Sequence, residues 1–86
     1  MSNENLKSII QEIEYGTIKV NLDKLMEIAG ISTYKLNTAT NVRFQTLQTL
    51  KENNATRIDF NVLAKLCYAL DCNVADILEY VPNDKK

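Results

Sequence analysis

Leu, Ile and Val recur through this chain at intervals of three and four residues, in short runs that close on Gly or Asn. Residues i, i+3, i+4 and i+7 share one face of a helix, so such runs predict short amphipathic helices. Each short helix leaves one apolar stripe to cover, and only packing the stripes together covers them all.

Leu6, Ile9, Ile10 and Ile13 carry that spacing and predict an amphipathic helix over residues 3–15, stopped by Gly16. "TIKV" at 17–20 alternates and is β-branched, which predicts a short strand. Asn21 is placed to cap a first core helix through Ala29, with Leu22, Leu25, Met26 and Ile28 as apolar positions and Gly30 as its end. Ser32 caps a second, with Leu36 and Ala39 inward and Asn41 just past its end, where a left-handed residue is wanted.

A third core helix is expected over residues 43–53, with Leu47 and Leu50 inward, broken by Asn53 and Asn54. Asp59 caps a fourth, whose wide apolar face is Val62, Leu63, Leu66, Cys67 and Leu70. Asn73 caps a fifth with Val74, Ile77 and Leu78 inward, and "EYVP" at 79–82 either ends it or turns into a second strand. The expected class is all-α: five short helices, an extra N-terminal amphipathic helix and two short terminal strands. Such strands are marginal alone, so "TIKV" and "EYV" would pair within a chain or between chains.

At 86 residues there is room for one domain with one modest core. With 45% apolar and 24% charged residues, two Gly and one Pro, the composition suits a compact helical domain rather than a disordered tail. No apolar run approaches the roughly 18 residues that span a bilayer. The first 16 residues lack the basic and apolar regions of a secretory signal. A cytoplasmic location and no membrane partner are expected.

Cys67 and Cys72 are the only cysteines, and histidine is absent. Five apart in one helical pattern, the cysteines are poorly placed for a disulfide, and without His they make a poor zinc set. They read as small buried hydrophobes. Without His the chain lacks the commonest general base, and its carboxylates are scattered over separate helices. Neither catalysis nor a cofactor is expected.

Net charge is −1, but it is unevenly spread. Residues 1–32 and 58–86 each carry a net of −2, whereas residues 33–57 carry +3 from Lys35, Arg43, Lys51 and Arg57 against Glu52. A local basic face is what phosphate contact requires, whatever the global balance. The same segment holds two predicted helices joined by a few residues around Asn41 and Val42, the requirement for a steeply crossed pair. The second of them would project Arg43, Phe44, Gln45, Gln48 and Thr49 away from the core. Gln pairs two-pronged with adenine, Arg with guanine, and an apolar ring sits on a thymine methyl.

The stretch "STYKLNTATNVRFQTLQTLKENNATRIDFNVLAKLCYALDCNVADILEYVPND" resembles the lambda-repressor-like helix-turn-helix domains of the Cro/Xre family of bacterial and phage regulators. It is most similar to the compact subgroup that starts near "IKVNLDKLM" and finishes near "ILEYVP". The resemblance covers residues 17–84, leaving residues 1–16 as the extra helix and 85–86 as a tail. It implies sequence-specific binding of a double-stranded DNA operator by a homodimeric transcriptional regulator, a repressor, with no cofactor. Base reading would fall to Arg43, Phe44, Gln45, Gln48 and Thr49. Phosphate contact would fall to Ser32 and Thr33 at a helix N-terminus, to Lys35 and Lys51, and to Asn53, Asn54, Thr56 and Arg57 in the following loop.

The chain departs from the family pattern at several points. Asn37 stands where the family has a small residue, Asn41 where it has Gly, Arg43 where it often has Ser or Thr, and Asn53–Asn54 near a Gly-Lys pair. A buried Asn37 would need partners, since an unsatisfied amide costs about 1–3 kcal/mol.

Plainer readings stand beside these. Arg43 to Gln45 can be an ordinary solvated helix start, Phe44 can pack on the N-terminal helix or a protein partner, and Arg57 can pair with Asp59. Ser32 caps its helix in either case. The stripe Leu6, Ile9, Ile10, Ile13 must be buried against its own domain, a second subunit or another protein partner. The acidic flanks and the missing loop lysine also suit a protein-interaction module, antitoxin-like or a phage-encoded inhibitor, that keeps the fold without strong DNA binding. RNA binding is less favoured, because no basic aromatic stacking surface is present.

Overall fold

The computed structural model describes residues 15–83. Its elements run β1 (Thr17–Val20), α1 (Leu22–Ala29), α2 (Thr33–Thr40), α3 (Phe44–Lys51), α4 (Phe60–Leu70), α5 (Val74–Ile77) and β2 (Leu78–Val81). The helix expected over residues 3–15 falls, all but its last residue, outside the described part.

Helix ends follow the turn residues. Gly30, Asn41, Asn53 and Asp71 have φ of 68°, 61°, 60° and 51°, and each closes a helix at a left-handed position. Ser32 caps α2 by accepting the N–H of Lys35 at 3.1 Å. Asp59 caps α4 by accepting the N–H groups of Asn61 and Val62 at 2.7 and 3.2 Å. At the start of α5 the N–H of Asn73 donates to Asp76 Oδ2 at 2.9 Å. Each such bond satisfies a backbone group that an isolated helix terminus leaves open.

The core is Val20, Leu22, Met26, Leu36, Val42, Leu47, Leu50, Leu63, Leu66 and Ile77. Fully burying side chains of this size contributes about 1.5–3 kcal/mol each. The wide face expected on α4 is present, with Leu63 and Leu66 buried and Val62, Cys67 and Leu70 packed against them. The terminal strands pair antiparallel within the chain, Thr17 opposite Val81 and Val20 opposite Leu78. The fold is therefore helical with a small two-stranded ribbon joining its ends.

Several local expectations change. Ile28 is 73% exposed, because it lies off the stripe set by Leu22, Leu25 and Met26. On α2 the inward residue after Leu36 is Thr40 rather than Ala39, which faces solvent. Thr40 tolerates burial because its hydroxyl donates to the Leu36 carbonyl at 2.7 Å and accepts the Val42 N–H at 3.2 Å. Asn21 does not cap α1 through its side chain. Its N–H donates to the Ile77 carbonyl at 2.7 Å and its Nδ2 to Glu79 Oε1 at 3.1 Å, tying the start of the bundle to its end. The fifth helix is a single turn that leaves Val74 exposed, and Leu78 opens β2 instead of extending the helix.

Gly16 has a different reason from the one its position suggests. A Cβ there would collide with the Val81 carbonyl oxygen and stand 2.7 Å from Pro82 Cα, so close approach of two backbones requires glycine.

Asn37 finds the partner it needs. Its Nδ2 donates to the Val42 carbonyl at 2.7 Å across the α2–α3 turn, and its own carbonyl accepts the Asn41 N–H at 2.8 Å. Asn37→Ala removes the donor to Val42 and is expected to cost about 1–3 kcal/mol in urea unfolding. Asn41→Gly, which relieves a left-handed side chain, should leave stability equal or raise it. An Asn37→Ala midpoint equal to that of the parent would show that the turn does not depend on this bond.

Candidate nucleic-acid interface

Leu47 and Leu50 anchor the inner side of α3, and the helical period then decides what the outer side carries. Gln45 is exposed, and Gln48 and Thr49 are half-exposed. Arg43, the residue before the first turn, makes no side-chain capping bond and is exposed, and Phe44 is 48% exposed. The side chains on this surface already touch one another. Gln45 Nε2 lies 3.4 Å from Thr49 Oγ1, whose hydroxyl donates to the Gln45 carbonyl at 2.9 Å. Gln48 Nε2 donates to Glu52 Oε2 at 3.1 Å.

The loop after α3 folds beside this face. Gln45, Thr49, Asn54, Thr56 and Arg57 line one cleft of about 420 Å³, floored by Leu50, Ala55, Ile58 and Val62. Five of the sequence-derived candidates are thus brought together on one surface. Arg57 does not form the surface pair with Asp59 that the sequence allowed. Asp59 Oδ1 instead caps α4, and the one ion pair among the described residues is Lys51 with Asp23.

A second group forms at the start of α2. Ser32 supplies the cap, and the first turn behind it presents open N–H groups. Thr33 is buried, and its Oγ1 accepts from Lys51 Nζ at 2.8 Å. Lys51 also stands 3.8 Å from Asp23 Oδ1, so this cation is shared among α1, α2 and α3. Lys35 lies in the same first turn, where its N–H is the one that Ser32 accepts, and it is exposed.

Asn53 is the candidate that the structure places elsewhere. Its Oδ1 accepts the Val20 N–H at 2.7 Å and its Nδ2 donates to the Val20 carbonyl at 3.0 Å. Its own N–H donates to the Leu50 carbonyl at 3.1 Å. Its side-chain oxygen, one of its two amide N–H bonds and its backbone N–H are thus engaged in tying β1 to the end of α3. Asn54, also exposed, has its Nδ2 3.4 Å from Glu52 Oε1.

Sequence reasoning passed over Glu52. It is exposed, and its two carboxylate oxygens hold Gln48 and Asn54, two of the residues expected to meet DNA. Its i, i+4 relation to Gln48 was the available signal.

The profile of the Cro/C1-type helix-turn-helix DNA-binding domain matches residues 21–83. The chain belongs to that family. α2 and α3 of this Cro/C1-type domain are its helix-turn-helix pair, joined at Asn41–Arg43. The crystal structure of the transcriptional regulator VanUg, form II, superposes on the chain with a TM-score of 0.65. The two share 25% identity, over 83% of this chain and 93% of that one. No curated protein matches the chain.

The cysteines of this Cro/C1-type domain are free and partly buried. Cys72 lies past the end of α4, and the left-handed Asp71 returns the chain so that the Cys72 N–H meets the Cys67 carbonyl at 3.0 Å. Burial, then the neighbouring Cys67, push the Cys72 thiol above its usual range, which keeps it neutral at physiological pH. Among the described residues no group of His, Cys, Asp and Glu is placed to hold a metal, and no helix is long and apolar enough to cross a membrane.

The Asn53 clamp is testable apart from any ligand. Asn53→Gly keeps the φ of 60° and removes only the amide, and should lower unfolding free energy by about 1–3 kcal/mol. An unchanged urea midpoint would show that Val20 does not need this partner.

Proposed function

We propose that this chain is a sequence-specific regulator of transcription that lays α3 in the major groove of double-stranded DNA. The observation that carries the reading is the juxtaposition of the α3 face with the 54–57 loop across one cleft. Amide and hydroxyl groups suited to base edges adjoin Arg57 and the polar loop suited to the strand beside them.

Arg43, Phe44, Gln45, Gln48 and Thr49 read bases. Gln48 gives up its bond to Glu52, or uses only its Oε1 to accept from an exocyclic amine. The α2 N-terminus with Ser32, together with Lys35, Asn54, Thr56 and Arg57, meets phosphates. Lys51 and Thr33 act from behind that N-terminus, adding positive potential while holding each other. Asn53 is left out of the interface. The chain acts as a homodimer on a roughly palindromic operator, with recognition helices one turn of DNA apart, about 34 Å. Occupying such a site blocks other proteins from it, so repression is the regulatory sense.

A second reading draws on Glu52, a carboxylate set between Gln48 and Asn54 on the proposed DNA face. An acid there opposes phosphate, and suits a protein-interaction module that keeps the fold with little affinity for DNA.

The two readings separate by mobility shift on DNA selected from a random library. The triple variant Arg43→Ala, Gln45→Ala, Thr49→Ala is expected to lose at least tenfold in operator affinity, since each good base contact is worth about 1–3 kcal/mol. Arg57→Ala should weaken all sequences alike and reduce the slope of log K against log salt by about 0.9. Glu52→Gln should strengthen binding. No DNA selected even at low salt would leave the protein-interaction reading standing, and an unchanged triple variant would remove α3 as the reading face.

A further inference from the structure

The two faces of the terminal ribbon differ. Its register pairs Ile18 with Tyr80 and Val20 with Leu78, and strand alternation sets these four on one face. Val20 is buried and Leu78 packs against the core, but Ile18 and Tyr80 carry the same face outward at 60% and 58% exposure. Thr17, Lys19 and Glu79 make the opposite face mostly polar. Beside the apolar face, Leu50, Ala55 and Ile58 complete a groove of about 340 Å³. Among the described residues nothing lines its outer side, and it continues the core to the surface.

The entry of the chain indicates the occupant. The Gly16 N–H donates to the Tyr80 hydroxyl at 3.0 Å, and the missing Cβ lets Gly16 lie on the Val81–Pro82 backbone. The polypeptide therefore arrives at the rim of the groove, two residues before Ile18. The residues leading to that point carry Leu6, Ile9, Ile10 and Ile13 at helical spacing, with Glu14 and Tyr15 between Ile13 and Gly16. Connections of about 2–6 residues commonly reverse a chain between a helix and a strand. Charge does not select the occupant, since Arg57 and Glu79 both line the groove while Glu12 and Glu14 flank Ile13.

We propose that the stripe Leu6, Ile9, Ile10, Ile13 of the same chain docks in this groove over Ile18, Ile58 and Tyr80. A segment tethered so closely acts at an effective concentration of order millimolar, so at micromolar protein it displaces the equivalent segment of a second copy. The docked segment reaches the DNA-facing loop from behind. Ala55, Thr56, Arg57 and Ile58 line both this groove and the cleft against α3, so one side of the loop rests on the N-terminal segment while the other faces the cleft.

Isotope-filtered NMR on the full chain tests the docking without DNA, so its outcome is independent of the DNA-binding reading. Nuclear Overhauser contacts from the Ile9, Ile10 and Ile13 methyls to the Ile18 and Ile58 methyls and the Tyr80 ring are expected within one molecule. In an equal mixture of labelled and unlabelled chains, no such contact should cross between molecules. Ile10→Asp should shift the Ile18 and Ile58 methyl signals and leave those of Leu47 and Leu66, deep in the core, in place. Contacts seen only between molecules would assign the groove to a second copy. Absent contacts, or unmoved Ile18 and Ile58 signals in the variant, would overturn the docking altogether.

Discussion

Leu22, Leu36, Leu47, Leu66 and Ile77 have no exposure to solvent, and each comes from a different one of the five helices. Helices of four to eleven residues are marginal in water on their own, so their persistence depends on this meeting point. Leu36 and Leu47 bring α2 and α3 to it from opposite sides of a turn whose middle, Val42, is also buried. That trio fixes how the two helices cross. Once Leu47 and Leu50 point inward, the helical period turns Gln45, Gln48 and Thr49 to the other side. The polar outer face of α3 is thus a consequence of core register.

Drawing a turn so close to a core creates a polar problem, and asparagine and threonine solve it. Val42 keeps both backbone groups bonded, the N–H to Thr40 and the carbonyl to Asn37. Val20, where the ribbon enters the core, has both of its groups held by the amide of Asn53. Asn41 and Asn53 add backbone geometry, since each takes the left-handed conformation at a helix end. Among the described residues no buried side-chain nitrogen or oxygen is left without a partner. Asn37 and Asn53 therefore both serve the fold through their side-chain amides, the first within its own turn and the second across the chain to Val20.

The sequence was most readable where one local rule acted alone. Leucine spacing marked the buried positions of α3 and α4, Ser32 and Asp59 marked helix starts, and Gly30 and Asn41 marked helix ends. It was least readable where two rules competed or where the partner lay far along the chain. Ala39 and Thr40 are equivalent by spacing from Leu36, and the polar residue takes the inner place because its hydroxyl is satisfied by the turn before it. Asn21 and Asn53 both resemble local cap or turn residues. Their side chains go instead to Glu79 and Val20, 58 and 33 residues away, contacts that no window of sequence displays. The candidate interface followed the same division. The α3 face followed from the helical period and the 54–57 loop from the family resemblance, while the bonds of Asn53 to Val20 and of Thr33 to Lys51 needed the fold.

Internal commitments also decide what kind of binding energy the α3 surface can supply. Of the four cations in the basic segment, Lys51 is partly neutralised by Asp23 and donates to Thr33, and the Glu52 carboxylate stands one turn from Gln48. Net positive charge therefore rests on Lys35, Arg43 and Arg57 at the edges, with uncharged amides and hydroxyls in the middle. Counterion release grows with the number of phosphates neutralised, so a surface of this kind gains less from charge than a lysine-rich one. On the proposed DNA-binding reading, the balance comes from oriented groups: the open N–H groups at the start of α2, and the amides of Gln45, Gln48 and Asn54. Such groups act only at hydrogen-bonding distance and in the right geometry. On that reading, the same low charge density that weakens attraction to any polyanion would raise the share of binding that depends on base sequence.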